Sequence, residues 1–302
     1  MDIPVELASQ RRLGDDWADW LDRLPRLTDD LLDAWRLTPD GEPMHGHASL
    51  VIPVTGADGD AVLKIGFDSP DTAQEHLALQ HWAGDGAVAM HRADPRHHAL
   101  LLERLHPQDL TREWDVQACQ IVADLYGRLH KPAPNRLATL SSRLRGWLDA
   151  LECDVADLPM PPRLVEQAVA RGWAFVDDPG TDGTMIHGDL HYENVLAADR
   201  EPWLAIDPQP MSGDPHYEVA PLLWNRWDEM EGYLRGSIQT RFHATVEAAG
   251  FDDDRARDWV IVRMVLNAHW TVEDAKRLGR GLTDDERTWI TTCVSVAKGV
   301  QR

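Results

Sequence analysis

The sequence predicts an α+β protein of two lobes, with a small antiparallel sheet in residues 1–105 and a mainly helical lobe in residues 106–302. Strand-like apolar runs separated by polar turns are concentrated in the first third of the chain, whereas apolar residues at helical spacing dominate the remainder. The length of 302 residues supports the division, because single hydrophobic cores stop growing at about 250–300 residues.

The first lobe opens with a helical pattern and continues with a hairpin. Apolar residues at helical spacing run over residues 11–36, and Pro25 within them predicts a break. The runs SLVIPV (49–54) and AVLKIGF (61–67) have strand character, and the TGADGD turn between them predicts that they pair as a hairpin.

A helix and two more strands complete the predicted first lobe. Ser69 and Pro70 are typical of an N-cap and a first helical residue, so we expect a helix from there to Gly84. Residues 87–93 and 99–105 are apolar runs that predict two further strands.

The second lobe is predicted to be helical with one embedded hairpin. Apolar residues at helical spacing predict helices in four segments: 114–129, 140–151, 163–176 and from about 219 to the end. Between the third and fourth segments lie a strand-like TMI and then VLAA and WLAI, which are separated by the polar turn DREP. These two runs predict the hairpin.

The composition restricts the partners and the compartment. A formal net charge of −21 argues against nucleic acid or an anionic membrane as partner, since both bind basic surfaces. The charge suits a cationic substrate, and it is explained equally well by solubility alone. Three scattered cysteines, the lack of an apolar signal segment and the lack of an 18-residue apolar run predict a reduced cytoplasmic protein.

The predicted hairpin brings two polar residues together. If Ala198 pairs with Trp203 across a four-residue turn, Asn194 faces Asp207 with Cβ atoms about 5 Å apart. An amide oxygen and a carboxylate are hard ligands suited to Mg²⁺. The alternative is that both residues are ordinary turn formers at strand ends.

Asp189 adds a third group to this pair. It follows the strand-like TMI and precedes Asn194 by five residues, on the loop that leads into the hairpin. A carboxylate there could accept a hydroxyl proton while Asn194 and Asp207 bind a metal ion. The pattern H-x-D-x-x-x-x-N followed by a metal-binding Asp is used by protein-kinase catalytic loops.

Lys64 is a second candidate for phosphate chemistry. Of the 30 basic residues only four are lysines, and Lys64 lies within an apolar strand. A lone Lys in such a chain indicates a site that requires a compact ammonium group. The alternative is an outward-facing lysine on an edge strand.

Two histidines in the same stretch permit a different interpretation. His187 and His191 are four residues apart, a spacing that binds zinc when it occurs on a helix. Here they lie on a loop with Gly and Asp, and the G-N-H segment of dinuclear phosphoesterases does not occur in the sequence. We therefore expect His187 to anchor the loop, with a metallohydrolase as the alternative.

Three segments of the sequence resemble a known family. HGDLHYEN, VLKIG and IDPQPMSGDPHYEVAPLLWNR are similar to segments of the aminoglycoside phosphotransferases, in the branch that contains streptomycin 6-kinases and hydroxyurea phosphotransferases. The resemblance covers roughly residues 45–228. It implies a bilobal protein-kinase-like fold and ATP-dependent transfer of the γ-phosphate to a hydroxyl of a small, cationic, streptomycin-like antibiotic.

The resemblance also implies roles for the candidate residues of the second lobe. Asp189 would be the catalytic base, and Asn194 and Asp207 would bind Mg²⁺. Glu218 stands where the family usually has Asp, so we expect a structural anchor there. Tyr192 and the following Glu replace the usual Pro-Gly, which changes the expected rigidity of the loop.

In the first lobe the resemblance implies a nucleotide site. Lys64 would contact the α- and β-phosphates of ATP and pair with Glu75 on the following helix. The Glu103 carbonyl and the Leu105 amide would meet the adenine, and Ser49 would contact the nucleotide from the phosphate-covering loop MHGHAS. That loop has a single glycine in place of G-x-G-x-x-G.

Other acceptors and another class stay open. The same chemistry could act on hydroxyurea, a cyclic-peptide antibiotic or another small metabolite. A nucleotide-binding protein without transfer activity is the alternative of a different class. A protein kinase is disfavoured because the sequence contains neither a Gly-rich loop nor an A-P-E segment.

Overall fold

The computed structural model describes residues 3–57, 59–70 and 72–302. The chain divides into two compact units. The first unit comprises Met1–Pro107 with Ala198–Arg200, and the second comprises Gln108–Ala197 with Glu201–Arg302. Each unit contains both helices and antiparallel strands, which agrees with the predicted α+β class.

The first unit is built on a six-stranded antiparallel sheet. Its elements in chain order are α1 (Val5–Ala8), α2 (Asp15–Trp35), β1 (Thr38–Pro39), β2 (Met44–Gly46), β3 (Ser49–Gly56), β4 (Gly59–Gly66), α3 (Glu75–Trp82), β5 (Met90–Asp94) and β6 (Ala99–Glu103). The strands are ordered β1–β3–β4–β6–β5, and β2 also pairs with β3. The predicted β3–β4 hairpin is confirmed, with Val51 opposite Lys64. The sequence prediction missed β1 and β2, which are only two and three residues long.

The predicted break at Pro25 is wrong, because α2 runs through that residue without interruption. An interior proline costs about 3 kcal/mol through its lost hydrogen bond and its ring clash. Leu24 and Leu31 on either side are almost fully buried in the core of the first unit, and each such side chain contributes about 1.5–3 kcal/mol. Packing on both sides therefore outweighs the proline.

The helix predicted to begin at Ser69 and Pro70 begins instead at Glu75. The Ser69 hydroxyl does accept the backbone amide of Thr72, at 3.3 Å, as an N-cap would. The Thr72 hydroxyl, however, donates to the Phe67 carbonyl at 2.5 Å, which ties the segment back to the end of β4. The capped turn is therefore not continued, and regular helix begins three residues after Thr72.

The second unit consists mainly of helices with two short sheets. Its elements are α4 (Asp115–Leu129), α5 (Leu140–Asp154), α6 (Pro162–Val176), β7 (Thr184–Ile186), β8 (Val195–Ala197), β9 (Trp203–Ala205), β10 (Met211–Gly213), α7 (Leu234–Ala249), α8 (Asp253–Arg277) and α9 (Asp284–Gly299). Strand β8 pairs with β9, and β7 pairs with β10. The prediction of a single hairpin missed the second pair, because MSG carries no alternating pattern.

Helix α8 is the central element of the second unit. Every residue from 259 to 269 is buried, and its apolar side chains belong to the main core of the unit. A helix buried on all faces is a core helix rather than an amphipathic surface helix. No helix in residues 3–57, 59–70 or 72–302 combines the length and apolarity needed to cross a membrane.

Candidate active site

The β8–β9 hairpin has a register that differs by one residue from the predicted one. Ala197 pairs with Trp203, so the turn contains five residues and Asn194 faces Ile206, not Asp207. Within this turn Arg200 belongs to the first unit and donates there to the carboxylate of Glu103 at 2.9 Å. The predicted direct pairing of Asn194 with Asp207 is therefore wrong.

Asn194 and Asp207 nevertheless lie at the same end of this hairpin. Asn194 directly precedes β8, and Asp207 follows β9 by two residues. Asp207 has a φ of 56°, in the left-handed region that Asp tolerates better than most residues. Its side chain therefore does not follow the strand pattern in which successive side chains point to opposite faces. Their amide and carboxylate are the hard-oxygen donors that suit Mg²⁺.

Asn194 is also tied to the loop that carries Asp189. Its side-chain nitrogen donates to the Asp189 carbonyl at 2.8 Å, and only 8% of the residue is exposed. Because the amide nitrogen is used in this way, the amide oxygen is the atom left for a metal ion. The predicted base and the predicted metal ligand are thus connected through the backbone of one loop.

The Asp189 carboxylate is partly accessible, with a quarter of its side chain exposed. Gln209 donates to one carboxylate oxygen at 3.3 Å, and the Arg263 guanidinium lies 3.5 Å from the other. His191 stands 3.9 Å away. The sequence prediction missed both Gln209 and Arg263. A signal for Arg263 existed, because it is a single charge within the apolar run WVIVRMVL.

Gly188 gives the loop a conformation that other residues adopt only with strain. Its φ is 87°, and a Cβ atom there would lie 2.2 Å from the Gln209 carbonyl oxygen. Its amide donates to the buried Glu218 carboxylate at 2.7 Å, and its carbonyl accepts from Arg263 at 2.7 Å. The backbone of Gly188, directly before Asp189, is therefore held at both its amide and its carbonyl.

Glu218 is the structural anchor that the sequence predicted. It is fully buried, and its second oxygen lies 2.5 Å from the His130 ring nitrogen. Burial alone would raise the pKa of Glu218, but the hydrogen bond and the charge of His130 outweigh burial, so the pKa lies below its ordinary value. Glu218 is therefore an ionised acceptor that holds the Gly188 amide.

His187 anchors the loop, as predicted, and does not form a histidine metal centre with His191. It is fully buried, its Nε2 lies 2.9 Å from the Ile206 carbonyl, and its Nδ1 accepts the Asp189 amide at 3.3 Å. Burial is the main cause of its lowered pKa, so the ring is neutral. Both ring nitrogens are already used, which removes the geometric basis for the metallohydrolase alternative.

A second group of metal-type side chains lies elsewhere in the second unit. Asp154, His269 and Glu273 bring ligand atoms within 4.8 Å of one another. The Lys276 ammonium lies 2.8 Å from one Asp154 oxygen, and His269 lies 3.2 Å from the other. A cation already occupies this carboxylate, which favours a salt-bridge network over a metal site.

In the first unit Lys64 and Glu75 form a buried ion pair. The two charged groups lie 2.7 Å apart, and at most 7% of either side chain is exposed. The pairing that the sequence predicted is confirmed. Burying two charges is costly unless close pairing and further hydrogen bonds compensate, so this pair is a candidate for a functional site.

Comparisons with known proteins identify the family of the chain. A family model for aminoglycoside/hydroxyurea antibiotic resistance kinases matches residues 34–275. The chain belongs to this family. It is 39% identical to a streptomycin 6-kinase of Streptomyces glaucescens, over 91% of this chain and 92% of the relative. It is 36% identical to a hydroxyurea phosphotransferase of Kitasatospora aureofaciens, over 91% and 82%.

The fold of this family member is also found in a solved structure. A spectinomycin phosphotransferase in complex with ADP and spectinomycin superposes with a TM-score of 0.62 at 13% identity, over 91% of this chain and 98% of that one. The predicted kinase-like fold is therefore confirmed. Membership of this family identifies the protein as an ATP-dependent small-molecule phosphotransferase, which confirms the prediction.

The remaining predicted nucleotide residues of the kinase lie at the sheet. Ser49 begins β3 and is almost fully buried. Glu103 ends β6, and its amide donates to the Ala89 carbonyl at 2.8 Å. Its carboxylate accepts the Ala89 amide and the Arg200 side chain, so that carboxylate has a structural function. Leu105 follows the strand in the non-regular segment after β6.

Tyr192, between Asp189 and Asn194, is a buried anchor of the Asp189 loop. None of it is exposed, and its amide donates to the Asn225 side chain at 3.2 Å. Its ring lies 5.8 Å from each of the Arg226 and Arg241 guanidinium groups. Burial raises the pKa of its hydroxyl. The adjoining Glu193 points outward, with 69% of its side chain exposed.

Proposed function

We propose that this kinase transfers the γ-phosphate of ATP to a hydroxyl group of a streptomycin-like aminoglycoside and thereby inactivates the antibiotic. The observation that carries the proposal is the Asp189 loop, in which an accessible carboxylate is held by flanking donors and linked to Asn194. The 39% identity to a streptomycin 6-kinase over nearly the whole chain supports the acceptor class.

In the proposed reaction Asp189 positions the acceptor hydroxyl and accepts its proton. The hydroxyl oxygen bonds to the γ-phosphorus, the bond from that phosphorus to the bridging oxygen breaks, and ADP leaves. Asn194 and Asp207 would hold Mg²⁺, which neutralises charge that develops on the phosphate oxygens when it is bound. Asp207→Asn should therefore raise the Mg²⁺ concentration needed for half-maximal nucleotide binding.

The nucleotide is proposed to bind through residues of the first unit. Lys64, fixed by Glu75, would orient the α- and β-phosphates, and Ser49 would contact the nucleotide from the start of β3. The backbone groups of Glu103 and Leu105 would meet the adenine. The buried Lys64–Glu75 pair supports this proposal, because a restrained ammonium loses little freedom when phosphate binds.

The charge of the protein supports a cationic acceptor. A net charge of −21 creates a negative field that attracts guanidinium and ammonium groups and disfavours nucleic acid and anionic membranes. Hydroxyurea is the second candidate acceptor, favoured by the 36% identity to a hydroxyurea phosphotransferase. It is neutral, so the field gives it no such advantage.

An acceptor panel tests the proposal. Purified protein with Mg-ATP is incubated with streptomycin, hydroxyurea and a cyclic-peptide antibiotic, and phosphoester formation is followed by mass spectrometry and phosphorus NMR. We expect streptomycin phosphate from the wild type and a rate at least 10²-fold lower from Asp189→Asn. Asp182→Asn is the matched control, since Asp182 is also half-buried but caps Ser141.

Each other result identifies an alternative. Phosphorylation of hydroxyurea alone assigns the second acceptor. Binding of Mg-ATP with no product from any acceptor supports a binding protein without transfer activity. Equal rates from Asp189→Asn and Asp182→Asn would contradict the proposed base.

A further inference from the structure

Arg263 is a guanidinium group buried in the middle of the core helix α8. It is 5% exposed, and its neighbours Val262 and Met264 are fully buried. Placing a charge in such surroundings is unfavourable unless hydrogen bonds or opposite charges compensate. The contacts of Arg263 therefore indicate what the charge is for.

Those contacts are directed at the loop that carries Asp189. One terminal nitrogen donates to the Gly188 carbonyl at 2.7 Å, and the other lies 3.5 Å from a carboxylate oxygen of Asp189. The guanidinium plane is supported by the Tyr217 ring, whose centroid lies 4.3 Å away. Its Nε has no hydrogen-bond partner among the described residues, so both useful contacts are made by the fork that faces the loop.

The two oxygens of the Asp189 carboxylate meet donors from different elements. Arg263 on α8 faces one oxygen, and Gln209 after β9 donates to the other at 3.3 Å. Two donors at two oxygens restrict rotation of the carboxylate about its last side-chain bond. A planar fork that also holds the preceding carbonyl restricts the backbone at the same time, which a single ammonium could not do.

We propose that Arg263 is a positioning residue for Asp189, which sets the direction in which the carboxylate meets the acceptor hydroxyl. The inference rests on the proposed function, in which Asp189 accepts the hydroxyl proton. Arg263 acts through Gly188 and Asp189, so its loss affects the transfer step more than ATP binding.

A matched pair of arginines on α8 separates positioning from stability. Arg257 is also buried, at 9% exposed; it donates to the Val300 carbonyl, pairs with Asp253 at 2.7 Å and covers the Phe242 ring at 4.5 Å. It thus repeats the kinds of contact made by Arg263 without touching the Asp189 loop. Arg263→Met and Arg257→Met remove the same charge from similar surroundings.

The test measures steady-state kinetics with the acceptor that the wild type phosphorylates, together with thermal unfolding. We expect Arg263→Met to lower kcat about 10- to 100-fold, with the KM for ATP changed less than about twofold. Arg257→Met should leave kcat within about threefold at a similar loss of thermal stability. Arg263→Lys should recover part of the rate, because an ammonium can replace only one arm of the fork.

Crystal structures of the wild type and of Arg263→Met test the role of Arg263 without relying on the proposed function, because they show the position of the Asp189 carboxylate directly. If the wild type phosphorylates no hydroxyl acceptor, the proposed function fails, whereas the position of the Asp189 carboxylate still decides the role of Arg263. We expect that carboxylate to rotate or move by about 1 Å in the variant. An unchanged carboxylate, or equal effects of the two methionine variants on kcat, would overturn the inference.

Discussion

Replacing Gly188 by alanine perturbs the peptide that precedes the proposed base. The new Cβ would lie 2.2 Å from the Gln209 carbonyl oxygen, and the residue would keep a φ of 87° that alanine adopts only with strain. Because ordinary contacts of a Cβ atom begin near 3.4 Å, the two segments must separate by about 1 Å. The clash is with backbone, so a side-chain rotation cannot relieve it.

The size of the effect follows from the contacts of Gly188. Left-handed backbone costs an alanine about 1–2 kcal/mol. A shift of 1 Å breaks at least one of the bonds that Gly188 makes to Glu218 and Arg263, each to a charged group and each worth about 1.5–3 kcal/mol. We therefore expect Gly188→Ala to lower the free energy of unfolding by about 3–5 kcal/mol. Displacement of Asp189 by a similar distance should lower kcat about 10²-fold.

Thermal unfolding and phosphoryl transfer are measured on the same preparation, and ADP binding by calorimetry shows whether the nucleotide site is intact. Gly250→Ala is the control, since Gly250 has a φ of 67° and a Cβ added there would meet no atom within 4 Å. It should lose about 1–2 kcal/mol and keep its kcat. If Gly188→Ala loses no more stability than Gly250→Ala and keeps kcat within about threefold, the reasoning about the loop is refuted.

Three further predictions concern buried polar groups. The pKa of Glu218 is lower in the folded protein than in the unfolded chain, so its ionised carboxylate stabilises the fold. This stabilisation is complete above the unfolded-state pKa of about 4.3 and is lost as the pH falls through the lower folded-state value. Glu218→Gln should remove this acid dependence from melting curves. Lys64→Met should destabilise the protein by about 3–5 kcal/mol in denaturant titrations, because Glu75 is left buried without its ammonium partner, and adding Glu75→Gln should restore stability but not ATP binding. Tyr192→Phe should cost less than about 1 kcal/mol, since the polar contacts of the hydroxyl among the described residues are long, at 3.4–3.5 Å. Tyr192→Ala should cost about 3–5 kcal/mol by the same titration.

The sequence could predict those parts of the site whose geometry depends on residues close together in the chain. Asp189 and Asn194 lie five residues apart on one loop, so their proximity follows from chain geometry and from the strand before them. Lys64 was predictable because it is an isolated charge in an apolar strand, whereas its pairing with Glu75 was implied by the family resemblance. The hairpin of β3 and β4 was predictable for the same local reason, from two apolar runs and a Gly-rich turn.

The parts that sequence could not predict depend on distant contacts. The turn after β8 has five residues instead of the expected four, and its Arg200 bonds to Glu103, a residue almost a hundred positions away in the sequence. Continuity of α2 through Pro25 depends on packing against the sheet. Arg263 lies near Asp189 because α8 packs against the loop that contains Asp189. The periodicity of the helix sequence does not predict which loop the helix contacts.

The Asp189 loop, residues 187–194, is held by packing, not by local restrictions of its own backbone. The proline of a Pro-Gly pair would fix its own φ angle. Tyr192 restricts the chain because its side chain is buried between Arg226 and Arg241. Both arginines bind the Asp115 carboxylate at the start of α4, so three segments of the second unit hold one ring. Glu218 and Arg263 hold the loop at Gly188, and Arg226 and Arg241 hold it at Tyr192. Buried charges therefore hold the loop at two points. The conformation of the loop therefore depends on the packing of the second unit, and its least family-like residue, Tyr192, is among its most buried.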